Sequence, residues 1–455
     1  MLSAQDNDLL SRVGPGTPMG NLMRQYWLPA LMSSELPSPD CPPFRLRLLG
    51  ENLIAFRTTS GAVGLIQNAC PHRGASMFFG RNEEEGLRCV YHGWKFDVEG
   101  NCVDMPSEPA ESNFKTKVHT PAYACRERSG VIWAYMGSRT SEDVPPLPDL
   151  EPNMLPDGEF AVQKVLRDCN WVQGLEGDID TSHLAYLHLG SVQPEDATPK
   201  SFDYYTVADR APRYQVIDTE FGTSYGAYRP AEPDNYYWRV AHFLFPCYTM
   251  IPTGVLGVQV LVRAWVPIDD EHMMFWSMSA PRTRSIGQGG NPGSASGVTR
   301  NGQPAAAAGA YAGGMQFLPD TTGWHGKFRL TQNRDNDYGI DREAQSSNQS
   351  YTGIAGIHQQ DQAITESMGT IVDRTNEHLG TSDAMVIRTR RRLINAAKAL
   401  AEQGVVPPGA DNPEVYRYRS GGVILPRSTD WLAATKDLRK AFVQHKPEQT
   451  VAPAI

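Results

Sequence analysis

Two groups of cysteine, histidine and carboxylate side chains in this sequence have spacings suited to redox-active metals. The first group is Cys70-Pro-His72 and, after sixteen intervening residues, Cys89-Val-Tyr-His92. Structural zinc sites usually pair cysteines as C-x2-4-C and histidines as H-x3-5-H, whereas here each motif supplies one thiolate and one imidazole. That arrangement suits a two-iron cluster in which both cysteines bind one iron and both histidines the other. The spacing predicts a Rieske [2Fe-2S] cluster, with a two-Cys, two-His zinc site as the alternative.

The residues around these motifs fit a cluster held by two tight loops. Gly74 and Gly93 permit sharp turns, and Trp94 and Phe96 are positioned to shield the metal. Histidine ligation raises the potential of such a cluster to roughly -150 to +300 mV, against about -400 mV for plant-type ferredoxins. The first group therefore predicts an electron relay that is fed by a low-potential donor.

The second group lies in residues 170–189, NWVQGLEGDIDTSHLAYLHL, and consists of Asp180, His183 and His188. The apolar residues of this stretch have helical spacing, but on a regular helix the two histidines would point about 140° apart. Shared metal binding therefore requires a break or a π-type bulge between them. Asp180 would lie close enough to His183 to orient its imidazole. The alternative is a pair of ordinary helix histidines.

A third ligand is needed if the two histidines bind iron. An electron-transfer cluster in the same chain implies a redox acceptor, and two histidines plus one carboxylate form the triad of non-heme Fe(II) oxygenases, which leaves positions open for O2. Asp361 in HQQDQAITESMG is the preferred carboxylate, with Asp341 and Glu366 as competitors.

The elements that must position these groups fall into two regions. From Phe44 to Tyr135, short alternating apolar runs separated by Gly, Asn and Ser predict a small antiparallel β domain. Aromatic and β-branched strands follow, and a helical pattern begins near Gly356. The predicted organisation is an N-terminal segment that packs on the catalytic domain (1–40), a Rieske domain (41–140), a Pro-rich and acidic linker (141–158) and a mononuclear iron domain (159–455) with a mobile loop at 283–313.

Composition excludes several classes of protein. A net charge of -9 and a pI near 5.7 argue against nucleic acid as a partner, because phosphate binding needs a basic face. No apolar run reaches membrane-spanning length, and the N-terminus lacks the pattern of a signal peptide. Seven scattered cysteines fit no disulfide framework. We therefore expect a cytoplasmic protein with no membrane partner. The arginine-rich run at 388–392 predicts a solvated helix face, with docking of an acidic partner as the alternative.

In combination these motifs resemble the oxygenase (alpha) subunit of Rieske non-heme iron aromatic-ring hydroxylating oxygenases, of the phthalate dioxygenase type. The resemblance covers nearly the whole chain, through MRQYWLPAL, CPHRGA, CVYHGWKFD, GLEGDIDTSHLAYLH, NRDNDYGIDREAQ, DQAITESMG and VDRTNEHLGTSDAMVIRTRRRL. It implies an α+β fold, in which a helix-grip domain, an antiparallel sheet wrapped over a helix, follows the Rieske β domain. It also implies that Asp361 is the acidic iron ligand.

The resemblance further implies an assembly and a route for electrons. Such subunits associate head to tail as α3 rings or stacked α3α3 pairs, and Asp180 resembles the carboxylate that joins a cluster histidine of one subunit to an iron-binding histidine of the next. Electrons from NADH would arrive through a separate flavin and iron-sulfur reductase, with O2 as co-substrate at mononuclear Fe(II).

The implied substrate is an aromatic carboxylate, phthalate-like or benzoate-like, and the implied reaction is cis-dihydroxylation of the ring. Monooxygenation, as in a hydroxylase or O-demethylase, is the first alternative. A Rieske electron carrier without catalysis is the second, although a carrier needs only the first domain. A buried substrate carboxylate calls for an arginine fork, and Arg210 and Arg239 lie in the strand region expected to line the pocket, with structural ion pairs as their alternative role.

Overall fold

The structure, a computed structural model, describes residues 1–139, 143–280 and 314–443, and the predicted mobile loop at 283–313 lies outside the described residues. The α-helices are α1 Ala4–Ser11, α2 Pro18–Met23, α3 Trp171–Ile179, α4 Phe202–Ala208, α5 Arg342–Ser346, α6 Ile357–Ser367, α7 Ala384–Gln403 and α8 Trp431–Ala434. The strands are β1 Trp27–Met32, β2 Phe44–Leu48, β3 Glu51–Arg57, β4 Val63–Gln67, β5 Arg81–Glu83, β6 Gly86–Arg88, β7 Lys95–Phe96, β8 Cys102–Asp104, β9 Ala124–Arg128, β10 Val131–Tyr135, β11 Ala161–Arg167, β12 Arg213–Asp218, β13 Gly222–Pro230, β14 Asn235–Leu244, β15 Tyr248–Met250, β16 Leu261–Pro267, β17 Met273–Ser279 and β18 Gly421–Pro426.

Three small antiparallel sheets make up the first region, with strand orders β1-β10-β9, β2-β3-β4 and β5-β6-β7-β8. The sheet β2-β3-β4 separates two apolar cores, because successive side chains of a strand point to opposite faces. Along β3, Leu53 and Ala55 face the main core of the molecule, whereas Ile54 and Phe56 face a second core. Cys70 and Cys89 lie in that second core, which we call the cluster core.

The N-terminal segment joins both regions. Strand β1 pairs with β10, so part of the segment assigned to residues 1–40 completes a sheet of the first region. The helices α1 and α2 instead pack on α7, and the side chain of Lys398 pairs with Asp6 at 2.7 Å.

From residue 143 onward the predicted linker is packed rather than extended. Leu150 is fully buried, and the carboxylates of Asp149 and Glu151 pair with Arg417 and Arg419 near the end of the described chain. Acidic residues of the predicted Pro-rich and acidic linker therefore form ion pairs with a distant part of the sequence.

The second region is built on one eight-stranded antiparallel sheet of order β11-β17-β16-β15-β14-β13-β12, in which β18 also pairs with β14. Helix α3 packs on β14 to β17 and α7 on β12 and β13, while α6 packs on α3. The predicted α+β class, with a small β domain followed by a sheet wrapped over helices, is confirmed. Within the described ranges, the structure contains no helix long and apolar enough to cross a bilayer.

Candidate metal centres

Two loops of nearly identical geometry hold the first group of ligand side chains. Cys70 and His72 follow β4, and Cys89 and His92 follow β6. In each loop the cysteine carbonyl accepts a hydrogen bond from the amide of the glycine four residues later, at 2.8 Å in the first loop and 2.9 Å in the second. These glycines, Gly74 and Gly93, have φ of +75° and +79°, in the left-handed region that favours glycine.

The two loops bring their four ligand side chains together in a way that fits a two-iron cluster. The rings of His72 and His92 lie 4.4 Å apart between centroids, and both Nδ1 atoms are buried without a hydrogen-bond partner. Burial, with the sulfur of Cys89 alongside, raises the pKa of the Cys70 thiol to about 11. Bound cations would stabilise both thiolates and satisfy both nitrogens.

The second group depends on the end of α3. Asn170 caps the start of this helix by accepting a hydrogen bond from the amide of Val172, and the last helical residue is Ile179. Asp180 is extended, with φ -90° and ψ 119°, and a 3₁₀ turn begins at His183. The helix is therefore shorter than the apolar spacing indicated, and the break lies between α3 and His183, whereas the prediction placed it between the two histidines. This break turns both imidazoles toward one point.

His183, His188 and Asp361 converge although the carboxylate comes from α6. The two Nε2 atoms lie 3.2 Å apart, and Oδ1 of Asp361 lies 3.2 Å from His188 Nε2 and 3.7 Å from His183 Nε2. A point about 2 Å from all three donor atoms exists between them, which is the usual length of metal–imidazole and metal–carboxylate bonds. The three donor atoms therefore fit one metal ion of the kind that two histidines and a carboxylate bind.

Gln360 orients the second histidine and was not anticipated from the sequence. Its Oε1 lies 2.6 Å from Nδ1 of His188, and its side-chain amide donates to the carbonyl of Ile354 at 2.8 Å. The amide group is thereby fixed with its oxygen toward His188, so Nδ1 carries the proton and Nε2 keeps its lone pair for a metal. The only indication in the sequence is that Gln360 directly precedes Asp361.

Asp180 contacts the first histidine from outside the triad. Its Oδ1 accepts the amide of Ser182 at 2.6 Å, and its Oδ2 lies 3.4 Å from Nδ1 of His183. Burial opposes ionisation of Asp180, but the hydrogen bond and charge of His183 outweigh burial and lower its pKa. Asp180 is thus held as a carboxylate beside His183, as its spacing indicated.

The competing carboxylates have other partners. Asp341 caps α5 by accepting the amides of Glu343 and Ala344, both at 2.9 Å. Glu366 accepts the hydroxyl of Tyr338 at 2.6 Å and the amide of Asp168 at 2.9 Å. Neither belongs to the group of donor atoms around the two histidines.

A cavity of about 290 Å³ opens onto His183, His188 and Asp361, and we call it the triad cavity. Most of its remaining wall is apolar, which suits an aromatic ring. The apolar lining is Leu184, Leu187, Leu189, Phe202, Ile251, Pro252, Trp265, Ile357, Ile364, Met368, Leu379 and Val386.

Four arginine side chains are among the polar groups that line this cavity. Arg239, one of the two predicted carboxylate partners, lines it, and its buried Nε and Nη1 have no hydrogen-bond partner. Arg167, which the sequence analysis missed, also lines it with Nε and Nη1 unsatisfied. Arg263 and Arg390 line it as well, but Arg263 pairs with Asp178, and Arg390 pairs with Glu176 and Glu377.

The other predicted arginine, Arg210, is placed differently. Its guanidinium donates to the carbonyls of Ala185, Leu189 and Val192, at 2.8 Å in the last case, and it is not among the residues lining the triad cavity. Arg210 therefore holds the chain on either side of His188 in place. In this structure its donors are used by the backbone and are not turned toward a ligand.

Comparisons with known proteins match both regions. Residues 26–122 match the Rieske [2Fe-2S] domain family, and residues 134–286 and 315–452 match the family described as LigXa C-terminal domain like. The 3-chlorobenzoate-3,4-dioxygenase oxygenase subunit of Comamonas testosteroni is 47% identical, over 98% of this chain and 100% of that protein. The phthalate 4,5-dioxygenase oxygenase subunit of Pseudomonas putida is 37% identical, over 95% of this chain and 94% of that protein.

Solved structures agree on the fold. Dicamba monooxygenase bound to dicamba superposes with a TM-score of 0.54 over 84% of this chain and all of that chain. The identity is 15%, so this likeness concerns the fold alone.

Proposed function

The chain belongs to the Rieske non-heme iron oxygenases, and from this premise we propose that it is the terminal oxygenase component of a system that oxygenates an aromatic carboxylate of the benzoate or phthalate class. The proposed reaction is cis-dihydroxylation of the ring with O2 and NADH-derived electrons. Relatives named for 3-chlorobenzoate and phthalate support this substrate class.

One observation gives the main support for an aromatic carboxylate as substrate. Arg239 is buried on the wall of the triad cavity, and two of its nitrogen atoms have no hydrogen-bond partner. Buried guanidinium donors without partners are costly, and a carboxylate satisfies them in a charge-assisted, often bidentate contact. The same cavity offers an apolar wall for the ring and opens onto the candidate iron ligands. A benzoate-type acid matches both features.

The proposed metal ligands are side chains of this chain. Cys70, His72, Cys89 and His92 would hold the Rieske cluster, and His183, His188 and Asp361 the mononuclear iron. When bound, these groups supply one-electron transfer and activation of O2. The protein contributes ligand orientation through Gln360, a largely apolar cavity, and a positive charge that fixes the substrate carboxylate.

Asp180 is the proposed link between copies of the chain. Its side chain is 27% exposed while it contacts His183, so a free lone pair remains within reach of a donor from outside. The rings of His72 and His92 are half-buried, with Nδ1 inward, which leaves the opposite edge of each ring toward the surface. A head-to-tail α3 ring, or a stacked pair of such rings, would bring such an edge to Asp180. A separate flavin and iron-sulfur reductase would supply the electrons.

The reaction is tested with the holoenzyme, its reductase and NADH under labelled O2, with 3-chlorobenzoate and phthalate offered separately. Dihydroxylation places two labelled oxygen atoms in one product. A product with one labelled oxygen would replace the proposal with monooxygenation. Absence of any oxygenated product from substituted benzoates and phthalate isomers would overturn the substrate class.

The role of Arg239 is tested by Arg239→Gln, which removes the charge and keeps a polar group of similar length. Loss of a hydrogen bond to a charged group costs about 1.5 to 3 kcal/mol, so we expect KM for the acid to rise about ten-fold to a hundred-fold. Iron content and the cluster spectrum should stay unchanged. Arg213→Gln, on the exposed face of β12, is the matched control. An unchanged KM in Arg239→Gln would contradict the carboxylate contact.

A further inference from the structure

A second group of metal-ligating side chains lies outside the triad cavity. Within the part of the chain that the structure describes, two sets of three His, Cys, Asp or Glu side chains have donor atoms within 4.8 Å of one another. One is the triad of His183, His188 and Asp361. The other consists of Asp269 and His272, in the turn between β16 and β17, and His325, in the segment that precedes α5.

The donor atoms of this second set lie close enough together to surround one ion. Oδ1 of Asp269 lies 2.9 Å from Nδ1 of His272, and Oδ2 of Asp269 lies 3.4 Å from Nε2 of His325. Two ligand atoms bound to the same ion at about 2.0 to 2.2 Å are separated by roughly 3.0 to 3.5 Å. The two imidazoles stack at 4.0 Å between centroids, with an angle of 27° between the ring planes.

The hydrogen bonds of the set leave one nitrogen unsatisfied. Nε2 of His325 is buried and has no hydrogen-bond partner of acceptable geometry, although it is directed at Asp269. Two stacked imidazoles that both carried a proton on each nitrogen would repel each other, so at least one ring presents a lone pair. A cation between the three side chains would satisfy this nitrogen and the second oxygen of the carboxylate together.

The carboxylate itself is held in place before any ion binds. Oδ1 of Asp269 accepts the amides of Glu271 at 2.9 Å and His272 at 2.8 Å, which fixes the turn. Among the described residues, Oδ2 has Nε of Arg47 at 3.1 Å and His325 as its ion-pair partners, so it has a lone pair left for a metal. His325 is carried by a tight loop in which the amide of Gly326 donates to the carbonyl of Gly323 at 3.0 Å.

The electrostatic surroundings favour a cation despite Arg47. Asp269, Asp270 and Glu271 are consecutive. Negative charge from these three carboxylates favours a bound cation.

We propose that Asp269, His272 and His325 bind one divalent transition-metal ion of the zinc type, with water completing the coordination. Imidazole and carboxylate donors suit Zn²⁺. The ion joins the β16–β17 turn to the segment that carries His325, and through Asp269 it adjoins Arg47 of β2 in the cluster-bearing region. The ion lies apart from the triad cavity, because His325 and Arg47 line a separate cavity of about 360 Å³.

The test measures zinc bound by the iron-loaded holoenzyme in equilibrium dialysis against buffered micromolar Zn²⁺. The compared variants are His272→Gln, His325→Gln and, as the matched control, His378→Gln, which changes an exposed histidine. We expect one zinc per chain in the wild type and in His378→Gln, and at least a ten-fold weaker affinity in the other two. The visible spectrum of the cluster reports that each variant is folded.

A second comparison separates this site from the triad. A His183→Ala, His188→Ala double variant cannot bind metal at the triad, so any zinc it retains lies elsewhere. Retention of one zinc by this double variant, and its loss on adding His325→Gln, is the expected result. Equal zinc affinity in the wild type and in His325→Gln, or no zinc bound by the wild type at micromolar concentration, would overturn the proposal.

Discussion

At the scale of single residues, the two candidate iron histidines differ in what holds the nitrogen that faces away from the metal. His183 has the carboxylate of Asp180 near its Nδ1, whereas His188 has the neutral amide oxygen of Gln360. A carboxylate partner raises the basicity of an imidazole more than an amide does. The contact between Asp180 and His183 therefore stabilises positive charge near the protein surface. The contact between Gln360 and His188 mainly fixes the tautomer of His188 in the interior.

Gln360→Leu should weaken iron binding without disturbing the cluster. Leucine has a similar volume but accepts no hydrogen bond, so Nδ1 of His188 loses its partner and the tautomer with a free Nε2 is no longer selected. Partners of this kind are worth about 10-fold to 100-fold in metal affinity. The measurement is iron retained after dialysis against a chelator, with the cluster absorbance as internal reference. Gln360→Glu, which still accepts from Nδ1, should retain iron; equal iron loss in both variants would contradict this role.

The choice of the third iron ligand marks the limit of prediction from single residues. Spacing alone left Asp361, Asp341 and Glu366 as candidates, because any of the three carboxylates could fold back onto His183 and His188. The structure distinguishes them through long-range contacts, such as the hydrogen bond from the hydroxyl of Tyr338 to Glu366. Such contacts cannot be predicted from the residues that neighbour each carboxylate in the sequence. The cluster motifs were easier to predict, since each loop places its cysteine and histidine within three residues.

At the scale of helices and strands, α3 and α7 are joined by a buried ion-pair network. Arg390 on α7 pairs with Glu176 on α3 and with Glu377, and Arg374 also contacts Glu176 at 3.3 Å. The prediction of a solvated arginine face is wrong for this residue, which is 4% exposed. The apolar pattern of α7 places Arg390 on the buried face of this helix, because Arg390 lies four residues from both Val386 and Ile394, which are buried.

Arg390→Ala should lower the free energy of unfolding by about 3 to 5 kcal/mol, because it leaves the buried carboxylate of Glu176 with one fewer partner. Burial opposes ionisation of Glu176, but Arg374 and Arg390 outweigh it and lower its pKa. A lowered folded-state pKa gives stability that is present above the unfolded value of about 4.3 and is lost as pH falls further. The difference between wild type and variant should therefore shrink below about pH 4 in urea titrations.

Arg388→Ala on the same helix is the control for this measurement. Arg388 pairs with Asp218 in an exposed ion pair, so its loss should leave the urea midpoint nearly unchanged. Equal destabilisation by the two substitutions would contradict a larger contribution from the buried network than from the exposed ion pair.

At the scale of the whole molecule, the two candidate metal centres belong to different cores. The cluster cysteines pack with Ile54, Phe56 and Trp94 in the cluster core, whereas α3, which leads to His183, packs in the main core. The sheet β2-β3-β4 contributes side chains to both. Alternating patterns predicted this sheet, but not that each of its faces would serve a separate core, since that depends on how the two regions dock.

Because the cores are separate, each metal should be removable without the other. His183→Ala removes one of the three proposed iron ligands and leaves the packing of the cluster core unchanged. We therefore expect loss of the mononuclear iron, with the visible spectrum of the cluster intact. Cys89→Ser is the reverse experiment, in which the cluster spectrum disappears while the triad retains iron. Metal analysis together with visible absorbance measures both. Loss of both metals in either variant would contradict this expectation. It would mean either that the two cores fold as one unit, or that the assignment of the ligands to the two centres is wrong.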